Sequence, residues 1–370
     1  MTVGTEHEYS INDANFAALP VSDQIIKSIC GSFSDDILFG DVKLGKELQK
    51  TVLEFVPRIP ASGPAPLEKM LVQGIRKFYH IFPTGYHLLG LGMHPMLTLD
   101  RTTVWDHDEK EYYEAYNRLF NIRQHGWLNI QAFQINLSYT GERDLLAQYN
   151  RIRSLLPYLI ALSASSPIVE GRLTGVMDNR LVFYRENQKE VPEICNSIIP
   201  SRLMSLGDYR KAQDSIYDKL RSRDAEILCE EWLNSSGLIL RFSRNCLEIK
   251  ALDEQECARS DMAILALLMA LLRSPVLPVE SDHDELLSLT ETAIRKGTAG
   301  LRPELETLFH HAWHHATTEE RQYLPVIEHR ITHGSLSEQI AERYLKEQKI
   351  EPILTDMAAS LRKNAPYGIE

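Results

Sequence analysis

The chain has 370 residues, 44% of them hydrophobic and 25% charged, an ordinary globular composition that suits one large domain or two small ones. Fifty-one acidic residues against 40 basic ones give a formal net charge of −11. That balance argues against nucleic acid as the main partner and against attachment to an anionic membrane, though a few arginines and a metal can still handle phosphate locally.

In chain order, Thr2 to Ile11 reads as a strand whose carboxylates, Glu6 and Glu8, alternate and so point to one face. Thr51 to Val56 is a second strand, stopped at Pro57. Ala61 to Pro66 is a loop, followed by a helical pattern from Leu67 to Phe82. His87 to Met93 is apolar and Gly-rich, and residues 108 to 125 carry a helical spacing of Tyr112, Tyr116, Leu119 and Phe120. Asn129 to Tyr139 has a clear period of two, with Gln134, Asn136 and Ser138 on one face and Ile135, Leu137 and Tyr139 on the other. A helix through Leu155–Leu162 leads into a Ser163–Pro167 turn. Leu238–Phe242 and Cys246–Lys250 form a hairpin, and from about Asp261 the chain is helical to its end. Strands spread along the chain between helices of varied length predict an α+β layout with an antiparallel sheet. With no G-x-G-x-x-G or G-x-x-x-x-G-K-[ST] element, neither a Rossmann domain nor a P-loop is indicated. The expected division is a catalytic core over residues 1–283 and a helical C-terminal extension over 284–370 packed on it.

The five cysteines, Cys30, Cys195, Cys229, Cys246 and Cys257, are odd in number and scattered, which indicates reduced thiols. No basic stretch followed by an apolar one opens the chain, so no secretory signal is expected. The longest apolar run, Met262–Leu272, has 11 residues, too short for a bilayer of about 30 Å. A cytoplasmic protein is the expectation.

Acidic residues are depleted in strands, and one placed inside an apolar strand is costly unless paired or coordinated. Glu6, Glu8, Glu54 and Glu248 all sit in such strands, with Glu47 seven residues before Glu54. Each alone could be a charge on a solvated sheet face. Together with Gln134 and Asn136 they make an oxygen-rich surface that suits Mg²⁺ or Mn²⁺ and not zinc. Such a surface calls for a polyanion, and Arg172, Arg180, Arg241, Arg244 and Lys250 are available for nucleotide phosphates.

Gly4-Thr5-Glu6-His7-Glu8 resembles the G-[TV]-E-x-E opening of the glutamate–cysteine ligase and carboxylate–amine ligase family, whose fold is like the catalytic domain of glutamine synthetase. Glu47 to Pro57 looks like that family's second acidic strand, and Gln134-Ile-Asn136-Leu-Ser138 is similar to its Q-V-N-L-D strand. Leu162 to Arg172 resembles A-L-x-A-N-S-P-x-x-x-G-[RK], with Asn179-Arg180 following, and Leu247-Glu248-Ile-Lys250 resembles E-[VIM]-R. All five blocks keep their order from residue 3 to about 275. The resemblance implies a curved antiparallel sheet flanked by helices, and an ATP-dependent ligase that forms an amide through an acyl phosphate. Glutamate and cysteine are its best-known substrates, and glutathione biosynthesis is the associated pathway. It carries Glu6, Glu8, Glu47, Glu54 and Glu248 over as metal ligands, with Gln134 at a position that is His in other branches. Arg172, Arg180, Arg241, Arg244, Lys250 and Asn136 carry over as substrate or ATP contacts, with Lys250 and Arg172 the catalytic candidates. The cofactors implied are ATP and Mg²⁺ (or Mn²⁺), and a homodimer is kept as an expectation.

Three positions depart from the family pattern: Lys250 replaces Arg, Ser138 replaces Asp and Ser165 replaces Asn. A ligase for a different acid and amine, a guanidino-kinase-like phosphotransferase and a non-catalytic nucleotide-binding relative are the alternatives. His310, His311, His314 and His315 have a spacing that can bind metal, but no glutamate stands between them as in H-E-x-x-H, so a surface or packing role is expected. Cys246 is read as a core thiol.

Overall fold

Alternating side chains along the strands set the two faces of the molecule's central sheet. In the computed structural model, which describes residues 1–195, 197–279 and 282–369, the sheet strands are β1 (Val3–Asn12), β2 (Asp36–Phe39), β3 (Val42–Lys46), β4 (Val52–Pro57), β5 (His87–Leu89) and β6 (Ala132–Ser138). A small ribbon follows, β7 (Ile168–Val169) with β8 (Arg172–Leu173), before the sheet resumes with β9 (Leu238–Arg241) and β10 (Cys246–Asp253). The eight-stranded sheet runs β2-β3-β4-β1-β6-β10-β9, with β5 also paired to β1, and every pairing is antiparallel. The expected α+β class is the one found.

One face of this sheet is almost entirely apolar. Leu44, Leu53, Phe55, Tyr9, Phe133, Ile135, Leu137, Leu247 and Leu240 are all fully buried there. Helices Pro64–Ile81, Gly141–Ser163 and Ala258–Arg273 cover it. The first of these places Leu67, Leu71, Ile75 and Phe78 on one side at steps of three and four, so its buried stripe lies along the sheet. Ala258–Arg273 is buried over most of its length, which is why it is apolar all round and reads like a short membrane run. No helix among the described residues is long and apolar enough to cross a membrane. Leu286, Leu305, Ile327 and Leu361, all beyond residue 283, share one core cluster with Val3 and Phe55.

Several elements differ from expectation. The segment from Glu47 to Pro57 is not one strand: Glu47 follows the end of β3, the chain turns, and β4 begins at Val52. The β2–β3 hairpin has no apolar alternation on its outer side, where Asp36 pairs with Lys43, and so left no periodic signal. The helix predicted over 108–125 is Lys110–Phe120 plus the short turn His125–Leu128, because Asn121 takes a left-handed φ of 52° and ends the first. The helix through Leu155–Leu162 begins earlier, at Gly141, in a polar stretch. The C-terminal helical region starts at Ala258, and residues 280, 281 and 370 within that expectation lie outside the described residues.

Candidate active site

The face of the sheet turned away from the helices carries the carboxylates. Antiparallel register sets Glu8 of β1 directly opposite Glu54 of β4, and Glu54 in turn opposite Gly45 of β3. On the other side of β1, Glu6 faces Gln134 of β6. A Cβ on residue 45 would stand 3.1 Å from Glu54 Oε2, so glycine there leaves the carboxylate its space. Glu8 is held by the Ala132 backbone N–H (2.8 Å) and by Gln134 Nε2 (3.1 Å). Glu6 accepts from Asn136 Nδ2 (2.9 Å) and from Arg244 Nη1 (2.6 Å). Glu47, brought over by the turn after β3, lines the same cavity as Glu6, Glu8, Glu54 and Gln134. The cavity measures about 590 Å³, within the usual range for small-molecule sites.

Opposite the acids stand the cations. Arg180, Arg241, Arg244 and Lys250 line the cavity. Arg180 is fully buried, its Nε 2.6 Å from Asp253 Oδ1. The other Asp253 oxygen accepts from the Ser165 N–H (2.9 Å) and the Ser166 hydroxyl (2.8 Å). Those two serines belong to the segment resembling A-N-S-P, so its part in the site is to hold Asp253, which holds Arg180.

Two expected site residues are placed differently. Glu248 is on the acidic face opposite Asn136, but it is buried behind the cavity and already bridges Arg241 (to Oε2) and Lys250 (3.8 Å to Oε1). Glu248 thereby orients both cations, as Glu6 does Arg244. Arg172 is exposed on the β7–β8 ribbon, which pairs with no strand of the main sheet, and is not among the residues lining the cavity. Asn136 reaches the site only through Glu6. Among the departures from the family pattern, Ser138 binds the Thr2 N–H at 2.7 Å and Ser165 binds Asp253, so Lys250 alone of the three lines the cavity.

Composition did not disclose the rest of the cavity. Lys46, ion-paired with Glu109, stands beside Glu47. An aromatic wall comes from Tyr112 and Tyr116 on the 110–120 helix, together with Trp127 and Trp232; Tyr116 and Trp127 lie 4.9 Å apart, and Tyr112 and Trp232 5.8 Å. The helical spacing of these tyrosines was visible, but which side of their helix faces a pocket is a tertiary matter. Asp253 had a signal in the acidic run Asp253-Glu254-Gln255-Glu256 that ends β10. Elsewhere, His311 is taken up by the Ser274 hydroxyl (2.6 Å) and the Val276 carbonyl (2.9 Å), a packing contact. Cys246 is buried and its thiol is pushed up to about 12, first by burial and then by Glu248, so no thiolate forms near neutrality.

The acids crowd one another. Burial, and then neighbouring carboxylates, push Glu8 and Glu54 well above the ordinary range, and Glu47 rises to about 7 for the same two reasons, with Lys46 opposing. Burial works against Glu6 too, but Arg244 beside it brings its pKa below the ordinary value. Carboxylates with raised folded-state pKa values bind more protons in the folded than in the unfolded state. The metal-free protein therefore loses stability as pH rises from near 4.5 through about 7. A divalent cation neutralises the same repulsion, and its binding must displace those protons. The expected result is a melting temperature that falls between pH 5 and pH 8 without Mg²⁺ and falls less with it, together with an apparent Mg²⁺ affinity that strengthens over that interval. Thermal melts at fixed ionic strength with and without Mg²⁺ check both; identical pH slopes would show that no cation binds these acids.

Residues 2–356 match the family model described as glutamate–cysteine ligase family 2. A protein of Archaeoglobus fulgidus, named only as uncharacterized, is 45% identical over 369 residues, covering 99% of this chain and all of that one. The chloroplastic glutamate–cysteine ligase of Brassica juncea is 22% identical over 202 residues, which is 51% of this chain and 39% of the plant protein. The chain thus matches well under half the length of that plant relative. Among solved structures, glutamate–cysteine ligase from Francisella tularensis in complex with AMP aligns with a TM-score of 0.70 at 13% identity, covering 99% of this chain and 89% of that one. The bifunctional glutathione synthetase of Pasteurella multocida aligns with a TM-score of 0.65 at 14% identity, covering 98% of this chain and 52% of its own. At these identities the likeness is one of fold.

Proposed function

Because this chain belongs to the glutamate–cysteine ligase family 2, we propose that it is an ATP-dependent carboxylate–amine ligase working through an acyl phosphate, with glutamate and cysteine the first pair of substrates to test. The observation that carries the reading is the pairing, in one cavity, of Glu6, Glu8, Glu47 and Glu54 with Arg180, Arg241, Arg244 and Lys250. Crowded, partly protonated carboxylates are a donor set that fits Mg²⁺ or Mn²⁺. Glu6, Glu8, Glu47, Glu54 and the Gln134 amide oxygen are the residues that would hold the metal. When bound it would neutralise the phosphate oxygens and screen the charge that builds during phosphoryl transfer.

The rest of the step falls to the chain itself. Arg241 and Lys250, aimed by Glu248, and Arg180, aimed by Asp253, receive the phosphates. The γ-phosphoryl group passes to the acid's carboxylate oxygen, the bond to the β-phosphate breaks and ADP leaves. The neutral amine attacks the acyl carbon, and its N–H proton passes to the departing phosphate. The C–N bond forms, the C–O bond to phosphate breaks, and inorganic phosphate is released. Positioning and electrostatics supply the rate, since the enzyme makes no covalent bond of its own. Lys250, a compact ammonium where the family has a guanidinium, gives one point contact in place of a bidentate one. It is therefore the residue that we expect to separate this chain's substrates from those of its relatives. All five cysteines are free thiols, and we place the enzyme in the reducing cytoplasm.

The test is ADP and phosphate release with Mg²⁺ across a panel of acids and amines. Amine-dependent release of free phosphate in step with ADP supports ligation. A stable phosphorylated product in the absence of any amine requirement would point to a kinase, and no turnover with any pair would remove the ligase reading.

A further inference from the structure

His7 lies between Glu6 and Glu8 in sequence but points to the opposite, apolar face of the sheet, where a polar side chain needs an explanation. It meets two carboxylates there. Its Nδ1 is 3.3 Å from Glu254 Oε1, just past the end of β10, and 3.3 Å from Asp261 Oδ2, in the first turn of the 258–273 helix. All three side chains have no solvent exposure. A neutral imidazole has one N–H and cannot satisfy both acids. Neither oxygen of Asp261 has a hydrogen-bond partner among the described residues, nor does His7 Nε2 or the hydroxyl of buried Tyr9. The neighbouring guanidinium, Arg330, is bonded to Glu256 at 2.6 Å. Among the described residues His7 is the one cation-forming side chain within 4.0 Å of these two buried carboxylates.

The separations are informative. A hydrogen bond from a ring nitrogen to a carboxylate is usually about 2.7–2.9 Å. Two ligands on a tetrahedral zinc with bonds of about 2.0–2.1 Å stand roughly 3.3 Å apart, whereas neighbouring ligands on octahedral Mg²⁺ stand about 2.9 Å apart. One imidazole and two carboxylates also form a donor set that zinc accepts and Mg²⁺ does not favour.

We propose that His7, Glu254 and Asp261 form a second metal site that takes one tetrahedral Zn²⁺ on the buried face of the sheet, separate from the cation site in the cavity. The ion neutralises the two acids and ties β1 to the end of β10 and the helix that follows. Glu254 already binds the Glu8 backbone N–H through its other oxygen (3.2 Å), so the same clamp holds the strand that carries Glu6 and Glu8. The site does not depend on the reaction proposed above.

Elemental analysis of the full chain, produced in zinc-supplemented medium and passed through metal-free buffer, is the test. About one zinc per chain is expected in the wild type and in Glu54→Gln, and at least tenfold less in Asp261→Asn and Glu254→Gln. Should those two variants fail to fold, the wild type itself is stripped with a chelator and zinc or Co²⁺ is added back. A rise in melting temperature with zinc, and a tetrahedral visible spectrum with Co²⁺, are expected. A wild-type protein that carries no zinc and gains no stability from it overturns the proposal. So does zinc that disappears in Glu54→Gln and persists in Asp261→Asn.

Discussion

Replacing Glu54 with glutamine is expected to lower Mg²⁺-dependent ADP formation by about 10³-fold, at the upper end of what one electrostatic contact in an active site supplies. Glu54 is the centre of the acidic face, across from Glu8 and backed by Gly45, and no cation is bonded to it among the described residues. Its pKa is held far above the ordinary range by burial and by Glu6, Glu47 and Glu8, so without a metal its ionisation opposes the fold. Glutamine keeps the shape and removes the charge. The variant should therefore fold and, in metal-free buffer at pH 8, melt at or above the wild-type temperature. Activity lost while stability is kept or gained is the pattern of a group retained for function at a cost to the fold. Coupled ADP assays and thermal melts at that pH read the two quantities. Wild-type turnover in the variant would remove Glu54, and with it the shared metal site, from the mechanism.

Asp253→Asn is expected to be the most damaging single change to the fold near the site. It takes from buried Arg180 its bonded carboxylate and leaves only the unbonded Asp178 beside it, and breaking one side of a buried ion pair costs about 3–5 kcal/mol. A fall in melting temperature of roughly 4–6 °C follows. The cradle around Asp253 has no slack: Gly92 lies so close that a Cβ there would come within 2.1 Å of its carboxyl carbon, so Gly92→Ala should act in the same direction. Because the Arg180 side chain also lines the cavity, the KM for ATP should rise together with the loss of stability. The double replacement Asp253→Leu with Arg180→Met separates the two effects. Stability should recover in part, since an apolar pair need not be compensated, while ATP turnover stays lost. Turnover that recovers along with stability would show that Arg180 is structural and never meets a phosphate.

How much of this was legible depended on the range of the signal. Period-two alternation is a local property, so the faces of β1 and β6 could be read directly: Glu6 with Glu8, and Gln134 with Asn136. Five short motifs in order were enough to identify the family, because each is an ordered run of residues and needs no knowledge of contacts. The turn after Glu47 was not legible, since the segment Glu47–Thr51 holds no Gly or Pro to mark it. The place of Arg172 outside the cavity and the contacts of Glu248 with Arg241 and Lys250 were not legible for a related reason. A motif preserves chain order, but whether a basic residue reaches a cavity, or an acid is already taken by Arg241 and Lys250, is decided by partners far away in sequence.

The opening acids show the division. The sequence by itself determined that Glu6 and Glu8 share one side of a strand and that His7 must take the other, because a strand's side chains alternate whatever surrounds them. Only the tertiary structure decided what each side meets. Antiparallel register brought Glu54 and Gln134 to the acids on one face, and the turn after β3 added Glu47. On the other face the end of β10 and the helix after it set Glu254 and Asp261 against His7, which lies 247 residues from the first of them. Electrostatic roles depend on such neighbours, since charge, burial and pKa are properties of the assembled environment and not of the residue alone.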